Sequence, residues 1–337
     1  MRVLVTGSAG FVGFHVARRL LRDGAEVVGV DAMTTYYDPA LKRRRHDMLS
    51  EMEGFERCEF DLADADRLRD LFGGQPFDVV IHLAAQAGVR YSLENPRAYI
   101  DANIIASYNL LECLREKPAR HAIFASTSSV YGANRKMPFS ETDRSDHALT
   151  LYAATKKAVE DIAHCFAHLW GQPITVVRFF SVYGPWGRPD MALYKFTKAI
   201  FENSPLDLYN GGDMRRDFTY IDDLVESIMR LVSCVPDHDA VGSSRASLGT
   251  SPAAPYRVVN IGNSQPVGLM TFLRAIEESV GRKATCIDLP MQKGDVPETF
   301  ADTSLLLDLT GYRPSTNVEE GVRAFVDWYR EYHFGDR

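Results

Sequence analysis

The eight residues Thr6-Gly7-Ser8-Ala9-Gly10-Phe11-Val12-Gly13 constrain this chain most. They join a short apolar run, Val3 to Thr6, to a segment with apolar residues at helical spacing, Val12, Val16, Leu20 and Leu21. Glycines so placed let the backbone turn tightly after a strand, approach a pyrophosphate closely, and pack the following helix against the strand. The helix N-terminus then offers free N–H groups and a positive dipole end to an anion. A glycine pattern alone is weak, but this one has a strand before it, a helix after it, and an acid closing the next strand, Glu26 to Val30. That acid, Asp31, lies 18 residues beyond Gly13, near the distance at which a carboxylate meets a ribose diol. It would repel a 2′-phosphate, so NAD is expected rather than NADP. A plainer role as a strand-end turn residue loses weight beside the glycine loop.

The first half continues as strand and helix in alternation. Further strands are expected at Glu59-Phe60, Val79 to His82 and Ala122 to Ala125; a long helix starts near Thr150, and another strand runs from Ile174 to Phe179. Strands separated by helices imply a parallel sheet with right-handed crossovers, covered on both faces. After Gly184-Pro185-Trp186-Gly187 the rhythm breaks into shorter elements: Met191 to Phe201, Leu206 to Tyr209, Asp222 to Val232, Val258 to Ile261 and Leu269 to Val280. The expected architecture is α/β: a Rossmann-type doubly wound parallel sheet over residues 1–180, to which later segments return, and a smaller C-terminal α/β substrate-binding lobe mainly over 181–337. Pro236 to Pro255, rich in Ser, Ala, Gly and Pro, is expected to be a surface loop.

With 337 residues the chain is long enough for two lobes. A net charge of −7 argues against broad electrostatic binding to nucleic acid or an anionic membrane. The basic run Lys42-Arg43-Arg44-Arg45 is expected to be a solvated helix face. Five cysteines without C-x-x-C spacing give no disulfide framework or zinc knuckle, and suggest a reducing compartment. No apolar run has the length of a signal peptide core or a membrane span, so the protein reads as cytoplasmic.

Asp61-Leu62, after the third strand, suits an adenine contact, since a carboxylate accepts from the exocyclic amine. His82-Leu83-Ala84-Ala85-Gln86 closes the fourth strand with small residues against which a cofactor can lie; His82 itself reads as structural. Tyr152 and Lys156, four apart near a helix start, face one side. A phenol is a weak base at neutral pH, and a neighbouring ammonium together with a positive nicotinamide ring favours the phenolate. The pair alone is common by chance. The hydroxyl-rich strand end Ser126-Thr127-Ser128-Ser129, before Val130-Tyr131-Gly132, adds weight, because open parallel sheets bind ligands at the carboxyl ends of their strands. Thr127 is the favoured catalytic hydroxyl; Ser128 and Ser129 also fit turn formation.

The glycine loop, this strand end, Tyr152-x-x-x-Lys156 and Arg178-Phe179-Phe180-Ser181-Val182-Tyr183-Gly184-Pro185 resemble the extended short-chain dehydrogenase/reductase family over nearly the whole chain. Within it, the resemblance is to the UDP-glucuronate 4-epimerases. It rests on Asp31 to Arg43, on Gln86-Ala87-Gly88-Val89-Arg90-Tyr91-Ser92 and on Pro185-Trp186-Gly187-Arg188-Pro189-Asp190-Met191-Ala192. Asn260-Ile261-Gly262-Asn263 and Gln292-Lys293-Gly294-Asp295-Val296-Pro297 extend it. Ala32-Met33 departs from the Asn-Leu often seen after the ribose-binding acid, and Ser181 stands where Thr is usual.

The resemblance implies a tightly held NAD, contacted by Gly7, Ala9 to Gly13, Asp31, Lys42, Asp61, Leu62, Leu83 to Gln86, Tyr152, Lys156 and Phe179. It implies inversion of C4 of a UDP-uronate through a 4-keto sugar, with Tyr152, Lys156 and Thr127 catalytic. Such a sugar is a β-keto acid that loses CO₂ readily when its carboxylate stands perpendicular to the carbonyl plane. Ser128, Ser181 and Arg188 are the groups expected to hold that carboxylate; Arg188 equally suits a structural salt bridge. Arg216 is expected at the diphosphate, with Arg90 there or at the carboxylate. Tyr209 suits the uracil or core packing, and Asp295 the uridine ribose.

Related dehydratases carry Asp-Glu after the catalytic Thr, and related decarboxylases carry Glu at the position of Ser129. No carboxylate follows Thr127 here. UDP-galactose 4-epimerases, the nearest rival, usually show Ser-Ser-Ala-Thr at this strand end, which is not the pattern here; a decarboxylase or dehydratase acting on a similar nucleotide sugar is a second reading, and an idle NAD-sensing scaffold a third. A homodimer is implied, formed by the Tyr152 helix and the one spanning Asn103 to Arg115.

Overall fold

The computed structural model describes residues 1–237, 248–291 and 294–335. Its strands are β1 (Arg2–Thr6), β2 (Glu26–Asp31), β3 (Phe55–Glu59), β4 (Val79–His82), β5 (His121–Thr127), β6 (Ile174–Phe179), β7 (Ser181–Tyr183), β8 (Leu206–Tyr209), β9 (Arg215–Tyr220), β10 (Tyr256–Ile261), β11 (Pro266–Gly268), β12 (Cys286–Leu289) and β13 (Glu298–Thr299). Seven of them form one sheet in the order β10-β6-β5-β4-β1-β2-β3. Every pairing in it is parallel.

Val3, Leu4 and Val5 in β1 and Val79, Val80 and Ile81 in β4 have no exposed surface. These strands are therefore continuous apolar runs, as burial on both faces demands. On one face pack the helices Phe11–Arg22 and Ile221–Val232; on the other pack Ala65–Gly73, Ala106–Glu116 and Leu151–Trp170. Strand order reverses where β1 lies between β2 and β4, which opens a crevice at their carboxyl ends.

The edge strand β3 runs over Phe55–Glu59 rather than at Glu59-Phe60. Its Glu56, Arg57 and Glu59 face solvent, so no alternation of apolar residues marked its limits. The basic run also differs from expectation. It lies in the helix Pro39–Ser50, where Arg43 and Arg44 are exposed but Lys42 and Arg45 are buried, Arg45 completely. The helix expected from Asn103 opens with a wider turn, Ile100–Ile105 being a π-helix that leads into Ala106–Glu116.

The second lobe gathers two small sheets, β8 with β12 and β9 with β7, β11 and β13. They pack with the helices Ala192–Phe201, Leu269–Val280 and Val318–Phe334 on an aromatic core. At its centre Phe218 and Phe272 stack with ring centroids 4.0 Å apart. Truncating such a buried ring typically costs about 3–5 kcal/mol. The chain returns to the large sheet through β10, and the helices Ile221–Val232 and Ser304–Thr310 join the core of the first lobe. Of the expected loop Pro236 to Pro255, residues 238–247 lie outside the described residues, as do Gln292 and Lys293. Among the described residues no helix is long and apolar enough to cross a membrane.

Candidate active site

The glycine loop leaves β1 and turns into the helix Phe11–Arg22. Gly7 has φ +71°, and a Cβ there would meet the Ala84 backbone N at 2.8 Å. A Cβ on Gly13 would lie 2.0 Å from the Gly7 carbonyl oxygen. Both positions therefore require glycine: one for its backbone angle and the approach of β4, the other for helix packing. Gly10 opens the helix with no side-chain cap, so the N–H groups of its first turn keep their anion-binding capacity.

Asp31, 8% exposed at the end of β2, faces this turn. Its Oδ2 accepts from the Ala9 N–H at 3.1 Å and its Oδ1 from the Met33 N–H at 2.8 Å. The cradle thus has the glycines, free N–H groups and fixed carboxylate that a dinucleotide needs. Lys42 Nζ donates to the Thr34 carbonyl at 2.9 Å and hydroxyl at 2.8 Å, and its burial lowers the ammonium pKa. Beside it, Arg45 donates to the Ala9 carbonyl at 2.9 Å, the Tyr37 hydroxyl at 3.0 Å and the Trp186 carbonyl at 2.5 Å. Nothing in the sequence reading singled out Arg45 for this role.

Asp61 is exposed and caps its own turn, accepting from the Ala63 N–H at 2.9 Å, while Leu62 is buried behind it. Leu83 and Ala84 donate their N–H groups to the Thr6 hydroxyl, each at 3.2 Å. That hydroxyl also meets His82 Nδ1 at 2.8 Å, and His82 Nε2 meets the Ser107 hydroxyl at 2.9 Å. Burial drops the His82 imidazole to about 3, so it stays neutral and structural. Gln86 is held by Asn103, whose Oδ1 accepts from the Gln86 N–H at 2.8 Å and whose Nδ2 donates to Thr155 at 2.9 Å.

Tyr152 and Lys156 occupy the start of the helix Leu151–Trp170, capped by the Thr150 hydroxyl, which accepts from the Ala153 N–H at 3.2 Å. Thr127 ends β5, with Ser128 and Ser129 in a single 3₁₀ turn beyond it. The Thr127 hydroxyl accepts from the Ser129 N–H and donates to the Ser129 hydroxyl, both at 3.2 Å. Burial raises the Tyr152 phenol, while the Thr127 hydroxyl and the Arg188 charge pull it down. The ammonium was expected to lower that phenol; here burial outweighs the groups that oppose it. Lys156, 3% exposed, is itself lowered to about 8 by burial, partly countered by Glu160 one turn on. Glu160 accepts from Ser126 at 2.6 Å and is paired with Arg178 at 2.7 Å, which braces the strand end against the helix.

Thr127, Ser128, Ser129 and Tyr152 line a cleft of about 790 Å³, together with Arg90, Ser181, Arg188, Tyr209, Arg216 and Asp295. Residues far apart in the sequence thus meet in one space. Phe179 ends β6, and the next two residues, Phe180 and Ser181, line the cleft. Arg188 is salt-bridged to Asp190, donating from Nε to Oδ1 at 3.0 Å and from Nη2 to Oδ2. Burial works against both charges and the pairing outweighs it, holding Arg188 above and Asp190 below their ordinary ranges. Arg188 is therefore a salt-bridge partner and a cleft residue at once. Also in the lining, the Arg90 guanidinium lies 4.5 Å from the Tyr209 ring centroid and 3.6 Å from Asp295 Oδ2. Arg216 donates to the Pro297 carbonyl at 3.1 Å, and burial lowers its pKa against the opposing charge of Asp295.

A model of the NAD dependent epimerase/dehydratase family matches residues 3–241. A protein of Rhizobium meliloti (strain 1021), named probable UDP-glucuronate 4-epimerase, is 56% identical over 333 residues, covering 98% of this chain and 97% of that protein. UDP-glucuronate 4-epimerase 1 of Arabidopsis thaliana is 47% identical over 338 residues, covering 98% of this chain and 77% of its own. The structure is similar to that of UDP-glucuronic acid 4-epimerase from Bacillus cereus in complex with UDP-glucuronic acid and NAD. That likeness has a TM-score of 0.87 and 30% identity, covering 99% of this chain and all of the other.

Proposed function

Because the chain belongs to the NAD dependent epimerase/dehydratase family, we propose that Tyr152, Lys156 and Thr127 are the groups with which it inverts C4 of UDP-glucuronate, giving UDP-galacturonate through a transient 4-keto sugar. The observation that carries this reading is a single cleft lined by Thr127 and Tyr152 together with Arg188, Arg90, Tyr209, Arg216 and Asp295.

Gly7, Ala9 to Gly13 and Asp31 would hold NAD at its diphosphate and ribose, with Lys42, Asp61, Leu62, Leu83 to Gln86, Lys156 and Phe179 along its length. The chemistry supplied by bound NAD is reversible oxidation at C4. Thr127 donates a hydrogen bond to the sugar oxygen there. Tyr152 takes the proton of the C4 hydroxyl and later returns it, with the Lys156 charge stabilising the phenolate. Ser128 and Ser129 supply hydroxyls where elimination would need an acid and a base, so the 4-keto sugar is kept for reduction.

Arg188, with Ser128 and Ser181, holds the uronate carboxylate. Arg216 meets the diphosphate, since a guanidinium suits paired phosphate oxygens. Tyr209 takes the uracil face with Arg90 stacked upon it, and Asp295 takes the uridine ribose. Residues 1–180, rejoined by β10, form the NAD-binding part, and 181–337 form mainly the UDP-sugar part.

The partner surface we infer is a second copy of this chain. The helices Ala106–Glu116 and Leu151–Trp170 lie side by side, with Tyr108 against Phe166 and with Leu169 and Trp170 exposed. The cysteine pattern fits a reducing, cytoplasmic setting.

Incubation with UDP-glucuronate, without added NAD, followed by proton NMR, tests the function. UDP-galacturonate forming to equilibrium supports it; a pentose nucleotide with net NADH formation overturns it.

A further inference from the structure

Arg188 does not stand free in the cleft. Asp190 takes two of its three nitrogens, Nε and Nη2, and leaves the Nη1 corner outside the pairing. Asp190 is fixed in turn from across the fold, because the Tyr36 hydroxyl donates to its Oδ2 at 3.1 Å. Tyr36 itself has little freedom. Its ring packs on Tyr91 with centroids 4.7 Å apart, and a Cβ on Gly88 would come within 2.6 Å of its hydroxyl oxygen. The three groups form a chain from a clamped ring to a carboxylate to a guanidinium, and both Tyr36 and Asp190 line the cleft beside Tyr152.

Charge makes the arrangement specific. A lone guanidinium would attract a uronate carboxylate strongly but from many angles. One already paired on its Nε edge attracts less and presents a single direction, since its planar fork is fixed. Affinity is traded for orientation. In this cleft orientation is the scarcer quantity, because the 4-keto uronate decarboxylates when the C5–C6 bond lies parallel to the carbonyl π system.

We propose that Asp190 and Tyr36 are positioning residues that aim Arg188 at the uronate carboxylate and so suppress loss of CO₂ from the 4-keto intermediate. The role rests on the C4-epimerase reading above. In the suppressed step the C5–C6 bond breaks, C6 leaves as CO₂, and the electron pair of that bond stays on the sugar as the enolate of the C4 ketone. A proton then adds at C5, giving a UDP-4-keto-pentose and leaving NADH that is not reoxidised.

The test compares wild type, Asp190→Asn and Tyr36→Phe on UDP-glucuronate labelled with ¹³C at C6. Labelled CO₂, NADH absorbance and UDP-galacturonate are measured together, with melting temperature as a check on folding. Tyr36→Phe removes one hydroxyl and keeps the ring packing, so it separates positioning from folding. The expected result is a rise of about tenfold in CO₂ released per epimerisation in both variants. UDP-glucuronate affinity should be kept or improved in Asp190→Asn, because Arg188 loses its competing anion. A merely structural role would lower epimerisation and CO₂ release together. Variants whose ratio of CO₂ to UDP-galacturonate equals that of a wild type active as an epimerase overturn the positioning role alone. A wild type that forms no UDP-galacturonate overturns the C4-epimerase reading and this inference with it.

Discussion

Arg45 Nη1 donates to the carbonyl oxygen of Ala9 at 2.9 Å, from a side chain with no exposed surface. Its Nη2 donates to Trp186 in the turn that opens the second lobe. One guanidinium therefore ties the glycine loop of the first strand–helix unit to the helix of the second and to the turn carrying Arg188. The glycine loop and the turn that carries Arg188 into the cleft share a fastener.

Arg45→Ala leaves the Ala9 and Trp186 carbonyls without this donor and opens a cavity. It should destabilise the protein by about 3 kcal/mol and weaken NAD retention. Arg43→Ala and Arg44→Ala, on the exposed side of the same helix, should stay within about 0.5 kcal/mol of wild type. Urea unfolding midpoints and NAD released on gel filtration measure both effects. Equal losses at Arg44 and Arg45 would contradict the fastener.

Tyr152→Phe keeps the ring and removes the group assigned to proton transfer. kcat should fall by about 10³-fold, within the usual range for a general acid–base. UDP-glucuronate binding, measured calorimetrically, should change little, because the phenol acts on a proton in flight. A loss confined to KM would move the proton transfer to another group.

What could be read along the chain was what is local in it. The glycine loop, Asp31, Tyr152, Lys156 and Thr127 each sit at a strand or helix end, and their spacing carries their meaning. The helix Leu269–Val280 and strands β4, β6 and β8 fell where apolar patterning placed them. Arg45 departs from the expectation of a solvated face because the basic run wraps two sides of its helix. The helical period puts Lys42 and Arg45 on the side of Leu41 and Leu49, all four buried. The bond from Tyr36 to Asp190 spans 154 positions and joins the two lobes, and no periodicity announces such a partner. Asn103 was hidden for another reason, since it lies in a π-turn that turns it toward Gln86.

Lys156 gives the fold a distinctive pH response. Its ammonium is lowered by burial from 10.5 to about 8, so below about pH 8 the folded protein carries a buried charge that the unfolded chain would solvate. That buried charge destabilises the fold, and the destabilisation depends on pH. It is fully present below pH 8, fades as pH rises from 8 toward 10.5, and is absent above, because there both states are neutral at this site. Lys156→Met should therefore be more stable than wild type at pH 7, by up to about 3 kcal/mol. The difference should shrink steadily between pH 8 and 10.5 and hold constant from pH 6 to 7.5. Paired urea titrations across that range measure it; a gap already shrinking between pH 6 and 7.5 would show the lysine neutral in the fold throughout, and one that widens with pH would show the fold favouring its charge.

The two ends of the cleft should separate by substrate. Arg90, Tyr209 and Asp295 cluster where the nucleotide is proposed to bind, whereas Arg188 and Asp190 stand beside Tyr152, where the sugar is proposed to bind. UDP-glucuronate and UDP-glucose share the nucleotide and differ at C6, in a carboxylate against a hydroxymethyl group. Tyr209→Ala removes the stacking surface for a ring and for the Arg90 cation, and should weaken both ligands equally, by about tenfold. Arg188→Ala removes a charged hydrogen bond to the carboxylate alone. It should weaken UDP-glucuronate by about 10–100-fold and UDP-glucose by about threefold or less. Calorimetric titration of the two variants with the two ligands gives four numbers, and the assignment rests on their pattern rather than on any one. Equal losses on both ligands in Arg188→Ala would place that guanidinium at the diphosphate, or leave it holding only Asp190. A preference appearing in Tyr209→Ala instead would put the sugar at the end of the cleft now given to the base.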